Sequence, residues 1–350
     1  MKVVVAPDKF AGTLTAAGAA TAIAAGWRSV RPLDELVLVP MADGGEGTID
    51  VVAAAAGDAR RHEAEVLNAR GRPTKATWLG LPDGRALIES AQACGLSQLA
   101  TDERDPRTAT SFGVGQLLLA ACSAGYGELV VGLGGSATVD GGAGAAQALG
   151  HAFRSRGGEL QHVEKGDPLE ATIIAAADVS SPLLGPGGAV ASFARQKGAS
   201  EADLPLLERS LERLAEIVER DLDGGPWRDL PGAGAAGGLG FALAAFCGAK
   251  TEPGAPSIAR LVGLPHALAG ADLVVTGEGA LDRQTATGKV PAYIVDLARE
   301  RGLKALAIAG RLEDGAGDAF DAVAELGPEG LRRPAELLEA RAAELARSVA

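Results

Sequence analysis

Three short apolar runs in the chain are each followed at once by a block in which glycine stands beside an acidic residue. The runs span 36–41, 129–133 and 273–275, and the blocks span 43–47, 134–142 and 277–282. Glycine lets the backbone turn tightly and bring its N–H groups close to a ligand. A helix that starts just beyond such a turn adds a positive dipole end, and a carboxylate there holds a divalent metal or accepts a proton. The pattern predicts strands that end at a site for a phosphorylated, metal-bound ligand.

The same strand–helix alternation continues along the chain and predicts an α/β fold. Val3–Ala6 is typical of a buried strand, and Thr13–Trp27 of a helix with Thr13 or Thr15 as N-cap. Turn signals divide 63–89 into three runs, which predicts an antiparallel meander. Further helices are expected at 48–56, 111–124, 143–151, 204–222 (a solvated surface helix) and 290–301 and from 334, and further strands at 35–40, 172–177, 304–309 and 322–326.

The length of 350 residues favours two domains over one. Both ends of the chain have simple βα character, whereas the middle is mixed. We therefore expect a discontinuous α/β domain formed by 1–80 and 270–350, with a second α/β domain, 81–269, inserted between its halves.

Charge and cysteine usage exclude several classes of function. The net charge of −12 argues against a nucleic-acid or membrane-surface partner, since both require basic patches. Three distant cysteines and four scattered histidines support neither a disulfide framework nor a zinc site. With a strand-like start and no bilayer-length apolar run, we expect a cytoplasmic protein without a signal peptide.

The familiar nucleotide and hydrolase motifs do not match. Gly288-Lys289 is followed by Val290 and lacks the upstream glycine of a P-loop, and no Gly-x-Ser-x-Gly is present. Residues 232–237 match Gly-x-Gly-x-x-Gly, but 227–231 before them do not resemble a strand. A tightly packed glycine-rich helix start is therefore favoured over a dinucleotide fingerprint, and an NAD(P)-dependent oxidoreductase stays as an alternative.

Several charged residues follow predicted strands, where ligands of α/β sheets bind. Asp8 and Lys9 come after the first strand, and Asp178 follows the strand at 172–177. Lys197 lies beside a glycine, and Lys289 lies at a helix start. Each is also consistent with an ordinary solvated position.

These blocks, in this order, resemble the type 1 glycerate kinase family over nearly the whole chain. A single block would be weak evidence, whereas eight in order are specific. The segments that carry the resemblance are 6–10, 40–48, 134–142, Asp178, 182–186, 196–199, 232–240 and 276–289. The family often has Lys where Ala11 stands, Pro where Arg195 stands, and Arg or Ser where Ala280 stands.

The resemblance implies ATP-dependent phosphorylation of D-glycerate, with the 2-hydroxyl favoured over the 3-hydroxyl. It implies two α/β domains, one flavodoxin-like and one restriction-endonuclease-like, one inserted in the other with the active site in the cleft between them. The protein would be a monomer or homodimer with a small-molecule substrate. A non-catalytic nucleotide-binding protein is a further alternative.

Phosphoryl transfer requires positioning and charge neutralisation more than covalent chemistry. ATP should bring Mg²⁺, whose oxygen ligands are best supplied by Asp43, Glu46 or Asp282, with Asp43 and Glu46 preferred. An Asp, either Asp178 or Asp282, should orient or deprotonate the attacking hydroxyl. Lys9, Lys197 or Lys289 should stabilise the transferring phosphate. The expected substrate- and ATP-binding residues are Asp8, Gly44, Gly45, Gly134, Gly135, Ser136, Thr138, Gly277, Gly279, Gln284, Thr285 and Lys289.

Overall fold

The computed structural model describes residues 1–156, 158–178, 180–282 and 289–349. The strands are β1 (Lys2–Val5), β2 (Glu35–Leu38), β3 (Arg60–Leu67), β4 (Pro73–Gly80), β5 (Arg85–Glu89), β6 (Glu128–Gly132), β7 (Ala152–Arg156), β8 (Glu159–Glu164), β9 (Thr172–Ala176), β10 (Lys250–Glu252), β11 (Leu273–Leu281), β12 (Lys304–Leu312) and β13 (Ala322–Glu325). The helices are α1 (Ala16–Val30), α2 (Thr48–Ala55), α3 (Ala91–Cys94), α4 (Phe112–Ser123), α5 (Ala143–Ala148), α6 (Ala189–Phe193), α7 (Leu204–Asp221), α8 (Ala235–Cys247), α9 (Gly254–Leu261), α10 (Leu264–Ala267), α11 (Val290–Glu300) and α12 (Pro334–Ser348).

The chain divides into two compact units. The first unit comprises Met1–Asp43, Asp50–Ala56 and Gly254–Ala350, and the second comprises Gly44–Ile49 and Gly57–Pro253. These boundaries differ from the predicted ones near 80 and 270. The reason is sheet pairing: β3 pairs with β4 and β4 with β5, so that a boundary at 80 would divide one antiparallel meander.

The first unit contains a five-stranded sheet of order β2-β1-β11-β12-β13, in which every adjacent pair is parallel. Numbered within the unit, this is the flavodoxin-like order 2-1-3-4-5, as expected, and its topological switch point lies between β1 and β11. Helices α1 and α12 cover one face, where Ile23 and Trp27 pack with Leu338 and Leu345. They approach closely because Gly26 has no side chain; a Cβ there would lie 2.0 Å from the Glu339 carbonyl oxygen.

The second unit contains a mixed six-stranded sheet of order β10-β9-β6-β5-β4-β3. Strands β10, β9, β6 and β5 are parallel, while β3, β4 and β5 form the predicted antiparallel meander. Leu117, Leu129 and Ile173 belong to its core. The mixed α/β class is therefore confirmed, whereas the restriction-endonuclease-like assignment stays a prediction.

Local sequence signals predicted most helices and strands correctly, and the errors have physical causes. The Thr15 hydroxyl caps α1 by accepting a hydrogen bond from the Gly18 N–H at 3.1 Å. The helix predicted over 143–151 ends at Ala148, and the hairpin β7–β8 that follows was not predicted. Helix α7 is solvated on one face only, because Leu207, Leu211 and Ile217 are buried on the other. In the described ranges, no helix is long and apolar enough to cross a membrane.

Candidate functional site

Asp8 lies at the switch point of the first unit's sheet. Its backbone N–H donates to the Gly277 carbonyl at 2.8 Å, which continues the pairing of β1 with β11 beyond the end of β1. Ligands of open parallel sheets bind at this edge, where neighbouring connections run to opposite faces. Among the predicted site residues of this unit, Asp8 therefore has the position most favourable for binding a ligand.

Asp8 is buried among other acids. Its side chain is 8% exposed, and burial, with the nearby charges of Asp43 and Glu278, raises its pKa to about 8. The Lys9 backbone N–H, which donates to Asp8 Oδ1 at 2.6 Å, and the Lys9 ammonium oppose this shift. The fold thus places three acidic side chains together at the switch point, an arrangement that costs folding free energy unless a proton or a metal cation neutralises the charge.

The third glycine–acid block belongs to the same edge. The Lys289 ammonium lies 3.6 Å from the Asp282 carboxylate, and Lys289 immediately precedes α11. Gly277 and Gly279 permit close packing, since a Cβ would lie 2.4 Å from the Ile308 carbonyl oxygen and 3.2 Å from the Ala11 nitrogen, respectively. The expected ligands Gln284 and Thr285 lie outside the described residues.

Gly44 and Gly45 of the first glycine–acid block contact the second block within the second unit. The Gly134 N–H donates to the Gly44 carbonyl at 3.4 Å. A Cβ on Gly134 would lie 2.5 Å from Gly45 Cα, and one on Gly132 would lie 2.1 Å from the Gly44 carbonyl oxygen. These glycines are required because two backbone segments cross without room for a side chain.

Gly132→Ala is expected to destabilise the protein by about 2 kcal/mol or more, because the new methyl group would overlap the Gly44 carbonyl. Urea unfolding measures the effect. The matched control is Gly127→Ala, just before the same strand, where a Cβ meets no atom within 4 Å. Equal midpoints for the two variants would contradict this account of the crossing.

The buried side chain of Lys197 holds the second block through hydrogen bonds. Its ammonium donates to Ser136 Oγ at 3.0 Å and to the Thr138 carbonyl at 2.8 Å, and the residue is 3% exposed. Burial lowers its pKa to about 8, although Cys94 and Asp140 oppose the shift. This side chain, predicted to contact phosphate, therefore directs its hydrogen bonds to the loop at 134–142.

The lowered pKa of Lys197 predicts how stability depends on pH. Between pH 8 and 10.5 the unfolded chain retains this proton while the folded chain has lost it, so stability rises with pH in that window. Compared with Lys197→Met, the wild type should gain up to about 1 kcal/mol per pH unit. Urea midpoints of both proteins at pH 7.5, 8.5 and 9.5 test this. A stability difference that stays constant above pH 8 would exclude it.

Two acids that were not predicted as site residues hold the second unit's loops. Asp140 Oδ2 accepts hydrogen bonds from the Ser111 hydroxyl and backbone N–H, both at 2.8 Å, and Oδ1 accepts from the Gly142 N–H. Glu89 is 1% exposed and accepts from the Ile49 N–H at 2.6 Å, just after the first block. The glycines beside Asp140 in the sequence indicated that it belongs to a structured loop, whereas no local sequence feature distinguishes Glu89.

The remaining predicted acids of the second unit occupy different settings. Glu46 is exposed and accepts a hydrogen bond from the Ser97 hydroxyl at 3.0 Å. Asp178 follows β9 and is half-buried. The second unit thus contains residues 44–47 of the first block, the second block and Asp178, while Asp43 and the third block lie with Asp8 in the first unit.

The Gly-x-Gly-x-x-Gly match is a packing feature. Residues 222–234, all described, form no strand before it. A Cβ on Gly237 would lie 1.9 Å from the Thr138 carbonyl oxygen, and one on Gly238 would lie 2.6 Å from Gly141 Cα. The segment therefore packs against the 134–142 loop, which agrees with the tightly packed, glycine-rich helix start that the sequence favoured. The dinucleotide fingerprint lacks the strand that should precede it.

A glycine loop and a carboxylate-rich edge of a parallel sheet are compatible with a small-molecule kinase, and comparison with known proteins identifies the class and the family. The profile of the glycerate kinase family matches residues 3–349. The chain belongs to this family and is a kinase.

Relatives that are named glycerate kinases match this chain over most of their length. The chain is 40% identical to glycerate 2-kinase of Escherichia coli K12 over 333 residues, which cover 91% of this chain and 87% of that protein. It is 39% identical to glycerate kinase of Halalkalibacterium halodurans, covering 93% and 88%. A crystal structure from Salmonella typhimurium LT2, assigned as glycerate kinase 2, superposes with a TM-score of 0.85 at 37% identity, covering 100% of this chain and 98% of that one.

Proposed function

We propose that the protein transfers the γ-phosphoryl group of ATP to the 2-hydroxyl of D-glycerate in the cytoplasm. The observation that carries the proposal is the buried Asp8 beside Asp43 and Glu278 at the switch point of a parallel sheet. A cation–phosphate complex bound there would neutralise these acids. The relative from E. coli, named glycerate 2-kinase, supports the 2-hydroxyl as acceptor.

The residues at this edge fit a magnesium ion that arrives with the nucleotide. Among the described residues, no group of three or more His, Cys, Asp or Glu side chains could hold a metal ion. Mg²⁺ in kinases, however, takes only one or two carboxylates and completes its coordination with phosphate oxygens and water. Asp8 and Asp43 would hold it, and its charge would screen the phosphate oxygens when it is bound. The role of Glu46 as a further metal ligand stays a prediction.

Asp282 is our preferred general base. It follows β11, the sheet neighbour of β1, and so belongs to the same unit and edge as Asp8. A base must lie within hydrogen-bond reach of the hydroxyl whose proton it takes. The Lys289 ammonium, with Lys9, would then compensate charge on the transferring group. Asp178 stays the second candidate.

The glycine loop of the second unit would bind anionic groups through its backbone. Gly134 and Gly135 directly precede Ser136, whose hydroxyl accepts a hydrogen bond from the Lys197 ammonium. In this proposal Lys197 is a positioning residue: it orients Ser136 and Thr138 instead of touching the phosphate. Glycine amides and the Ser136 hydroxyl suit a carboxylate or phosphate oxygen.

Product analysis tests the proposed function. The protein is incubated with ATP, Mg²⁺ and D-glycerate, and enolase alone, without a phosphoglycerate mutase, is added to the products. Only 2-phosphoglycerate is then converted to phosphoenolpyruvate, which is read at 240 nm. ADP release without phosphoenolpyruvate would indicate the 3-phosphate, and no glycerate-dependent ADP release would refute the kinase reaction. NADH turnover would instead favour the oxidoreductase alternative.

A further inference from the structure

The first unit contains a cavity of about 520 Å³ beside the acidic cluster. It lies at the carboxyl edge of the sheet, bounded by Phe10 after β1, Ala280 on β11, Gly310 on β12 and Pro328 after β13. Phe10 is two residues beyond Asp8, and Gly279, which also lines the cavity, follows Glu278. Its lining residues are therefore close neighbours in the chain of Asp8 and Glu278, where we locate the phosphates.

The walls of the cavity are mostly apolar. Phe10 lines the cavity and is 2% exposed, since it also belongs to the core of the unit, while small residues on β11 and β12 leave the volume open. Its charged lining residues, Arg311 and Glu325, are both exposed, and Leu331 beside them is 77% exposed. An apolar interior with a few polar groups at the mouth, at this size, is typical of pockets for flat organic ligands.

We infer that this cavity binds the nucleoside of ATP, with the base against Phe10 and Ala280. The inference rests on the proposed function and names the nucleotide subsite of that reaction. Glycerate is a poor occupant, because a small anion would leave most of the volume empty and lose its hydration against apolar walls. A purine ring gains from burial there, and its phosphates extend toward Asp8.

Glu325 is placed to recognise the ribose. Its Oε1 accepts a hydrogen bond from the Leu312 N–H at 3.1 Å, which fixes the side chain at the cavity mouth. A carboxylate beside a nucleoside pocket accepts hydrogen bonds from ribose hydroxyls. The cavity therefore discriminates ATP from triphosphates without a sugar or base.

Filling the cavity tests the inference. Ala280→Phe should weaken ADP binding at least tenfold by titration calorimetry, while inorganic tripolyphosphate, which has no nucleoside, should bind within twofold of wild type. The KM for glycerate should also stay within twofold. Ala340→Phe is the matched control, since Ala340 is exposed on α12 outside the cavity, and it should bind ADP as wild type does.

A second variant distinguishes a loss of binding from misfolding of Ala280→Phe. Leu331→Glu adds a negative charge at an exposed position of the mouth and should weaken ADP at least threefold. Unchanged ADP affinity in both variants, or a loss of glycerate affinity with normal ADP binding, would overturn the assignment. Because binding is measured without glycerate, a wild type that binds ADP but transfers no phosphate would refute the proposed function and leave the cavity assignment standing.

Discussion

Asp8→Asn is expected to reduce glycerate phosphorylation at least a hundredfold while making the metal-free protein harder to unfold. Asp8 is buried next to Asp43 and Glu278, and its pKa is raised to about 8. At neutral pH the folded protein must therefore take up a proton at Asp8 that the unfolded chain does not bind, which costs folding free energy. Asn has nearly the same shape and retains an oxygen for the Lys9 N–H. The substitution removes this cost, because the amide is neutral in both states, but it also removes a ligand for the cation that accompanies ATP.

Activity assays and thermal unfolding in EDTA measure the two effects. At neutral pH we expect stabilisation of about 1 kcal/mol or more, since each unit by which folding raises the pKa of a carboxyl costs about that much. Asp34→Asn is the control in the same unit: Asp34 accepts hydrogen bonds from Trp27 Nε1 at 2.9 Å and Arg31 Nε at 2.8 Å. It should lose stability and keep activity. A destabilised, active Asp8→Asn protein would show that the acidic cluster is structural.

Asp282→Asn is expected to lower kcat by 10²–10⁴-fold, the range typical for loss of a general base. The amide cannot accept the proton of the attacking hydroxyl, yet it keeps the volume of the side chain. Because the nucleotide is bound elsewhere on the same edge, the KM for ATP should change less than threefold. Steady-state kinetics with ADP detection separate the two parameters.

Two comparisons make this prediction specific. Asp314→Asn changes an exposed acid just beyond β12, the next strand of the sheet, and should leave kcat within twofold of wild type. Asp178→Asn tests the other candidate base in the second unit. A large kcat loss in Asp178→Asn with a nearly normal Asp282→Asn would transfer the role of base to Asp178.

Local chemistry explains why much of the fold could be predicted. The β-branched runs at Val3–Val5 and Leu273–Val275 are strands because apolar side chains fill both faces of a parallel sheet. Thr15 begins α1 because its hydroxyl satisfies a helix N–H. The hairpin β7–β8 was missed because its exposed residues carry little apolar alternation.

The candidate site could be predicted only in part, because residue type does not specify surroundings. Lys197 was expected to face a phosphate, yet the fold buries it under the glycine loop, where its ammonium binds Ser136 and the Thr138 carbonyl. Glu89 has no distinguishing neighbours in the sequence, and only folding brings it to the Ile49 N–H. Long-range contacts of this kind leave no periodic signal.

By itself, the sequence determined the family, the α/β class, and the glycine–acid blocks at strand ends, since all three depend on residue order and local backbone preference. The tertiary structure alone decided how those blocks are grouped. It crosses Gly44–Gly45 with Gly132–Gly134 in one unit, and it places the third block beside Asp8 in the other. The physical reason is that sheet order, set by which buried faces pack together, decides which strand ends become neighbours.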